Sequence, residues 1–334
     1  MNLSIIIVNY HSAHLIIDCL QSVFRYNDQL SFEVIIVDND SKDNSKNEII
    51  NSFPKVEWID MGYNAGFARA NNAGIKIAQG DVFLLLNPDT IAADNSIEKC
   101  YHKLINTNYA AAGVQLLNED GSLQTSGSFF VKGGLNHLLP IPYWGAFIRW
   151  LGYKIKSKIP GVLKAKEVEE VDWINGAFMM LKKTAAEKGG MLDEDFFLYS
   201  EEIEWCSRLK KVGDLCIFGH LKMIHLQGKT INSNQQSNEK GYQHLFDKKG
   251  LQLMVSHHVR IRKQYGTGWF LFLLFNYTWG IFVFSIGATF YRLFTLQNPF
   301  EDWKNVALYA VNVLKLWSLT PTIIKNKPHF YKMF

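Results

Sequence analysis

The sequence predicts an α/β protein: a mostly parallel sheet flanked by helices, followed by a hydrophobic helical extension. Three observations carry this. Apolar runs of strand length recur at Leu3–Val8, Glu33–Val37, Val82–Leu86 and Ala110–Leu117, and continuous apolar runs mark strands buried on both faces. Segments with helical spacing lie between them, the alternation that gives parallel crossovers. Finally, no charged residue occurs from Gln264 to Tyr291, which is length enough to cross a bilayer.

The elements follow in order. Leu3–Val8 is a β-branched strand closed by Asn9-Tyr10, and helical spacing runs from His14 to Arg25. Glu33–Val37 is a second strand ending in Asp38-Asn39-Asp40, with Ser41 as N-cap of a helix through Ile50. Val56–Ile59 is a short third strand. Gly62–Gly66 turns into a helix from Phe67 to Gln79, which Gly80 ends. Val82–Leu86 stops at Asn87-Pro88-Asp89, because proline cannot donate to a ladder. A helix is expected from Ala92 to Asn106, then a strand over Ala110–Leu117 and a turn at Asn118-Glu119-Asp120-Gly121. Phe129–Gly161 mixes aromatics, prolines and lysines without a period and reads as irregular. Order returns at Val168–Val171, and Trp173–Leu181 is apolar apart from Asn175. Glu201–Val212 is a helix with Ser200 as N-cap, and Leu215–Phe218 and Met223–Leu226 are two short strands.

Composition narrows the function classes. A chain of 334 residues, 48% hydrophobic, can bury a large core. A net charge of +4 is too small to argue for a nucleic-acid partner. Cys19, Cys100, Cys206 and Cys216 show no metal-ligand or disulfide spacing and read as buried thiols in a reducing compartment. Met1 leads straight into the first strand, so no secretion signal is expected.

Polar residues gather where the strands end, and in open α/β sheets ligands sit at the carboxyl ends of strands. Asp38, Asp40, Asn87 and Asp89 would share that rim. A carboxylate near the first strands can hold a base or ribose, and Asp89 suits Mg²⁺ or Mn²⁺ and through it a diphosphate. Taken singly, Asp38 and Asp89 are ordinary turn residues; together they favour a site. The stretch Gly62–Gly74, with Asn64, Gly66 and Arg69, offers a helix N-terminus and a cation for phosphate, although a strand-to-helix turn needs glycine anyway. Glu201-Glu202 at a helix start is commonly a dipole partner, but paired acids also supply a base. A lone His225 at a strand end is more often structural; beside a carboxylate it completes a metal site.

These residues carry a resemblance. The chain resembles the inverting family 2 glycosyltransferases of the GT-A fold, in the bacterial rhamnosyltransferase-like branch. The resemblance rests on Ile7-Val8-Asn9-Tyr10, Val37–Ser41, Asn64-Ala65-Gly66-Phe67, Leu86-Asn87-Pro88-Asp89, Gly176-Ala177-Phe178, Phe196–Arg208 and His225-Leu226-Gln227-Gly228, in the family's order over some 230 residues. It implies a nucleoside-diphosphate sugar donor, a divalent metal (Mg or Mn), and a glycan or polyprenyl-linked acceptor. Asp38 and the backbone of Val8, Asn9 and Tyr10 would hold the nucleotide, with Asp40, Asn64, Gly66, Arg69 and Asn87 around it. Asp89 and His225 would hold the metal. Trp173, Asn175, Gly176, Ala177 and Phe178 would line the donor-sugar and acceptor pocket, and Glu202 would be the base with Glu201 as its fallback. Two positions depart from the pattern. Asn87 replaces an acid, removing one anionic ligand, and Glu202 replaces the usual Asp.

The resemblance implies a GT-A domain over 1–255, with a nucleotide-binding half (1–117) and an acceptor and catalytic half (118–255). Residues 256–334 form the extension. The Gln264–Tyr291 stretch admits a spanning helix or hairpin, helices lying in the interface, or a dimer or core surface. Its aromatics and basic flanks favour peripheral attachment at the cytoplasmic face, with Phe129–Lys158 adding to that surface. A scaffold that keeps the fold without catalysis is the competing function. A sugar nucleotidyltransferase would need a glycine-rich basic loop that Val8–Ser12 does not offer.

Overall fold

The computed structural model describes residues 1–27, 29–155, 160–226 and 245–334. Gln227, Gly228 and the Lys156–Lys158 end of the aromatic excursion lie outside them. The chain divides into two compact units: Met1–Phe129 with Gly161–Glu194 and Glu201–Lys240, and Phe130–Pro160 with Asp195–Ser200 and Gly241–Phe334.

The first unit is α/β. Its strands are β1 (Leu3–Asn9), β2 (Phe32–Asp38), β3 (Glu57–Asp60), β4 (Val82–Leu86), β5 (Thr90–Ile91), β6 (Ala111–Leu117), β7 (Gly127–Ser128), β8 (Gly161–Val162), β9 (Glu169–Val171), β10 (Trp173–Ile174), β11 (Phe178–Lys182) and β12 (Leu215–His225). The main sheet runs β3-β2-β1-β4-β11-β6-β12-β5, with β9 on β12; β10-β7-β8 form a small second sheet. β3, β2, β1 and β4 are mutually parallel, β11 is antiparallel between β4 and β6, and β12 returns parallel to β6. Alternate residues face opposite ways along a strand. Ile5, Ile7, Leu84 and Leu86 join one buried cluster with helices α1 (Ala13–Tyr26), α2 (Ser45–Ser52) and α4 (Ser96–Ile105). Ile6, Phe83 and Leu85 join another with α3 (Gly66–Ile77), α6 (Lys183–Gly189) and α7 (Glu201–Leu209). Burial on both faces is why these strands carry no alternation in sequence.

Several local expectations are corrected. Ser41 caps nothing: its hydroxyl accepts from the His11 N–H, and α2 starts later, where Asp43 accepts from the Ser45 N–H. Gly80 does not end α3, which stops at Ile77; it lies so close to β1 that a Cβ would come 2.7 Å from the Ser4 nitrogen. The helix expected from Ala92 begins at Ser96, because Thr90 and Ile91 pair with β12 instead. The two short strands after α7 are one strand with an irregularity between Phe218 and Lys222. Ser200 is buried and its hydroxyl has no hydrogen-bond partner among the described residues, so it does not cap α7.

The second unit is helical. The excursion is ordered: a 3₁₀ segment (Lys132–Leu138) precedes α5 (Trp144–Lys154). α8 (Lys248–Tyr265), α9 (Thr267–Phe294) and α10 (Trp303–Lys325) pack on one another. Gly280 permits a close approach, since a Cβ there would meet Ile141 and Tyr309 below 3 Å. α9 and α10 are long and apolar enough to cross a membrane by length and composition. One stripe of α9 is buried, through Phe270, Leu274, Tyr277 and Phe284. Phe275, Trp279, Phe282, Ile286 and Phe290 on it stay exposed, as do Leu308, Val311, Leu314 and Trp317 of α10 and Phe147, Trp150 and Leu151 of α5.

Candidate active site

The rim of the parallel strands is a polar network before any ligand is considered. Asn9 and Asp38 are register partners at the ends of β1 and β2. The Asn9 amide donates to Asp38 Oδ1 at 2.7 Å and to Ser41 Oγ at 3.1 Å, and the Ser41 N–H donates to Asp38 Oδ2 at 3.1 Å. The Asp38 carboxylate thus organises the loop that follows β2. Asp40, in the left-handed region at φ 69°, pairs with Lys42. Asn39 donates to Asn64 Oδ1 and accepts from the Ala65 N–H. It thereby ties the β2 end to the start of α3, where Gly66 adopts φ 76°. Arg69 donates to the Glu194 carbonyl at 3.0 Å. Tyr10 and Val8 are half-buried beside this rim.

The second group surrounds Asp89. Leu86 is opposite Phe178 in the β4–β11 ladder, and the Asn87 N–H donates to the Ala177 carbonyl at 3.0 Å. Asp89 and His225 are 3% and 7% exposed, and Asp89 Oδ1 lies 3.4 Å from His225 Nε2. The Leu226 N–H donates to the Asp89 carbonyl, locking the β5 and β12 ends together. A residue no motif singled out sets the imidazole. Gln124 Nε2 donates to the His225 carbonyl at 2.6 Å and to Asn118 Oδ1 at 2.7 Å, which turns Gln124 Oε1 toward His225 Nδ1 at 3.0 Å. An amide oxygen can only accept, so Nδ1 carries a proton and Nε2 is the ring nitrogen turned toward the Asp89 carboxylate. An imidazole nitrogen and a carboxylate oxygen thus face each other, two ligand types that a divalent cation accepts. Among the described residues no third His, Cys, Asp or Glu joins them.

The acids of α7 separate by environment. Glu204 is buried and held by Arg208 through both carboxylate oxygens at 2.8 Å, which makes it structural. Glu201 is 3% exposed, whereas Glu202 is half-buried and remains accessible. Its side chain lies against Gly176: a Cβ on Gly176 would meet Glu202 Cγ at 3.7 Å and Phe67 at 3.9 Å. Asn175 shapes this corner by donating to the Thr125 carbonyl and accepting from the Ala177 N–H, with Trp173 pairing in the small sheet. Ala177 therefore joins the two groups, next to Gly176 on the Glu202 side and bonded to Asn87 on the Asp89 side. A separate cavity of about 450 Å³, lined by residues such as His14, Asp18, Glu119 and Leu226, contains none of these side chains.

The Glycosyl transferase family 2 profile matches residues 4–156. The chain carries a family 2 glycosyltransferase domain. Low-salt glycan biosynthesis hexosyltransferase Agl10 of Haloferax volcanii is 31% identical over 214 residues, covering 63% of this chain and 62% of that protein. N-acetylglucosaminyl-diphospho-decaprenol L-rhamnosyltransferase of Mycobacterium tuberculosis is 24% identical over 55% of this chain and 63% of its own length. The match spans just under two thirds of each relative. The fold is that of solved glycosyltransferases: mannosyltransferase PcManGT from Pyrobaculum calidifontis, in complex with GDP-Man and Mn²⁺, superposes over 95% of this chain and 87% of its own, with TM-score 0.53 at 14% identity. The family 2 domain thus includes β1 through β7, and with them Asn9, Asp38, Asp89 and Gln124.

Proposed function

We propose that the protein is an inverting, metal-assisted glycosyltransferase. It moves a sugar from a nucleoside-diphosphate donor to a glycan or lipid-linked glycan in cell-surface polysaccharide synthesis, with rhamnose one candidate sugar. The observation that carries this reading is buried Asp89 and His225 facing each other at 3.4 Å, at the strand ends that also hold Asp38. The Asp38 loop and the β1 end would receive the base and ribose, with Asn64 and Gly66 at the start of α3 beside them. Asp89 and His225 would hold Mg²⁺ or Mn²⁺, whose chemistry is to neutralise charge growing on the departing diphosphate. Glu202, beside Gly176, would accept the proton of the acceptor hydroxyl as that oxygen attacks the anomeric carbon in line. The new C–O bond then forms as the bond to diphosphate breaks, and the anomeric centre inverts. Glu201, being buried, is less suited to meet an acceptor.

The first test is thermal stability with UDP, GDP and dTDP, each with and without Mn²⁺. A ligand that binds only the folded state raises the melting temperature. One nucleotide should stabilise in a Mn²⁺-dependent way, and Asp89→Ala should abolish the dependence. Melting indifferent to every nucleotide would instead favour a scaffold that has kept the fold without catalysis.

The exposed aromatic faces of α5, α9 and α10 support the second part of the proposal, peripheral attachment at the cytoplasmic face of the cell membrane, where a polyprenyl-linked acceptor would lie. Tryptophan and phenylalanine beside basic Arg149 and Lys154 suit the bilayer interface, and Lys154 sits over the Trp150 ring at 5.3 Å. Full-length protein should float with vesicles containing phosphatidylglycerol, and F275S/F282S should not. A dimer in detergent-free solution that ignores vesicles would assign the same face to a second copy.

A further inference from the structure

Burial in the helical unit stops part-way along α9. Phe270, Leu273, Tyr277, Gly280 and Phe284 are buried in turn, but after Ala288 no residue is buried until Val306 in α10. α9 continues past Ala288 to Phe294, a further ~9 Å at 1.5 Å per residue. Leu296 and Phe294, 95% and 85% exposed, are the most exposed large apolar side chains among the described residues. Phe290, Leu293 and Phe300 are exposed with them. This tip is apolar outside and satisfied within. The backbone N–H groups of Thr295, Leu296, Gln297, Glu301 and Trp303 donate to carbonyls of the tip itself, and that of Phe300 donates to Asn298 Oδ1. Arg292 makes a two-point pair with Asp302 at 2.8 and 3.1 Å, lies 2.8 Å from Glu301 and bonds to Gln297. Polar groups paired internally cost less to take out of water than unpaired ones.

A belt marks the foot of the tip. Trp303 Nε1 donates to Thr289 Oγ1 at 3.2 Å, which levels the start of α10 with the last turns of α9. Exposed Lys304 follows, and exposed Tyr143 at the start of α5 packs on Gly287, where a Cβ would meet its ring at 2.7 Å. Tryptophan, tyrosine and lysine at one level suit the headgroup zone of a bilayer. Below the belt the helices are fixed to their own unit. The Tyr309 hydroxyl donates to the Tyr277 carbonyl at 2.8 Å, and the Asn312 amide donates to the Leu245 and Asp247 carbonyls at 2.9 Å each. Crossing a hydrocarbon core takes about 20 residues of helix, so the packed stretches of α9 and α10 would have to leave these bonds unmade in lipid. We propose that the α9–α10 tip, residues 289–305, enters one leaflet of a lipid bilayer to about 5–10 Å, the headgroup–acyl boundary, and that neither helix crosses. A second copy of the chain fits this tip less well. Phe290, Tyr291, Leu293 and Phe294 fan over about half the circumference of α9, and Leu296 and Phe300 continue the fan along the turn. A protein partner needs one face of roughly 800 Å², whereas acyl chains wet every side. Lys304, with Arg149 and Lys154 of α5, also matches anionic headgroups. The inference deepens the peripheral attachment proposed above and rests on it.

The experiment uses the full chain and vesicles of phosphatidylcholine with phosphatidylglycerol. Cys19, Cys100, Cys206 and Cys216 are buried, so Leu296→Cys offers one accessible thiol for an NBD fluorophore. Its emission should strengthen and shift to the blue when vesicles are added. A nitroxide carried near the lipid headgroup should quench it more than one carried near the bilayer centre. F294S/L296S should lower the vesicle partition coefficient about 100-fold, roughly tenfold for each large apolar side chain withdrawn from lipid. Its melting temperature without vesicles should match the parent's, because neither side chain is buried. A parent that floats while the probe at 296 stays in water overturns the tip and leaves attachment to the helix faces. A probe in water yet protected from dithionite added outside marks a crossing helix and overturns it too, as does F294S/L296S partitioning like the parent. A probe already shielded before vesicles are added, on protein of doubled mass, gives the tip to a second copy. If the parent does not float at all, the attachment reading falls and the tip falls with it.

Discussion

The two units bury polar groups in different ways. In the first, buried polar side chains sit at strand ends and satisfy one another: Asn9 with Asp38 and Ser41, Gln124 with His225 and Asn118. In the second, titratable groups are enclosed by aromatic rings. His137 stacks on His257 with centroids 3.7 Å apart, and Arg260 donates to His137 Nε2. His258 donates from Nδ1 to the Met254 carbonyl, while its Nε2 has no hydrogen-bond partner among the described residues and meets Phe270 and Tyr277 edge-on. A network at a rim can exchange a partner for a ligand. A histidine sealed among rings can only stay neutral. The contrast separates a unit whose buried polar groups satisfy one another at a rim from one whose buried histidines are enclosed by rings.

The largest effect expected from this contrast is acid sensitivity confined to the second unit. Burial lowers the pKa of His258 from 6.5 to about 4, and burial together with the neighbouring cations holds His137 and His257 well below their ordinary value. The sign follows from proton counting. Between pH 6.5 and 4 the unfolded chain binds a proton at His258 that the folded chain refuses. Stability is therefore whole above pH 6.5 and is lost as pH falls toward 4. At about 1.4 kcal/mol per pKa unit, His258 alone accounts for ~3 kcal/mol. His137 adds in the same direction, because an arginine can only donate and a protonated Nε2 could not accept from Arg260. Segment-resolved hydrogen exchange, corrected for intrinsic rates, should show α8 losing protection from pH 7 to pH 4.5 while β1, β2 and β4 keep theirs. Equal losses in both units would erase the distinction.

The same contrast explains what could be read from sequence. The doubly buried strands announce themselves as apolar runs, so β1, β2, β4 and β6 and the polar residues at their ends were legible. The ordered excursion was not: Phe129–Gly161 folds only where Gly133, Gly134 and Gly145 accept the close approach of Trp269, Ile261 and the Leu139 carbonyl, partners of which one lies within the segment and two lie far along the chain. Ser41 and Ser200 looked like helix caps because capping is a local signal, yet α2 begins only at Ser45, and α7, although it begins at Glu201 as expected, takes no hydrogen bond from the Ser200 hydroxyl. Gln124 was invisible for a different reason. Its role depends on two acceptors brought to it by β12 and the Asn118 turn, and no spacing in sequence encodes that pairing.

Gln124 also gives the finest test of the comparison. If the rim network exists to present a ligand-ready imidazole, loosening His225 should weaken metal binding without unfolding the unit. Gln124→Leu removes the acceptor at Nδ1, so His225 can rotate, and its Nε2 is no longer held toward Asp89. Losing such an outer partner typically costs 10- to 100-fold in metal affinity. The Mn²⁺ concentration needed for half the nucleotide-dependent rise in melting temperature should increase by that factor. Gln124→Glu should lie between Gln124→Leu and the parent, since it restores an acceptor for Nδ1 but gives up the bonds to the His225 carbonyl and Asn118. The melting temperature without ligand should move little, because Gln124 lies at the rim and outside the apolar clusters. A large fall in intrinsic stability with unchanged Mn²⁺ dependence would make Gln124 a folding residue like the histidines of the second unit, and the difference between the two units would then lie in what they expose and not in how they bury polar groups.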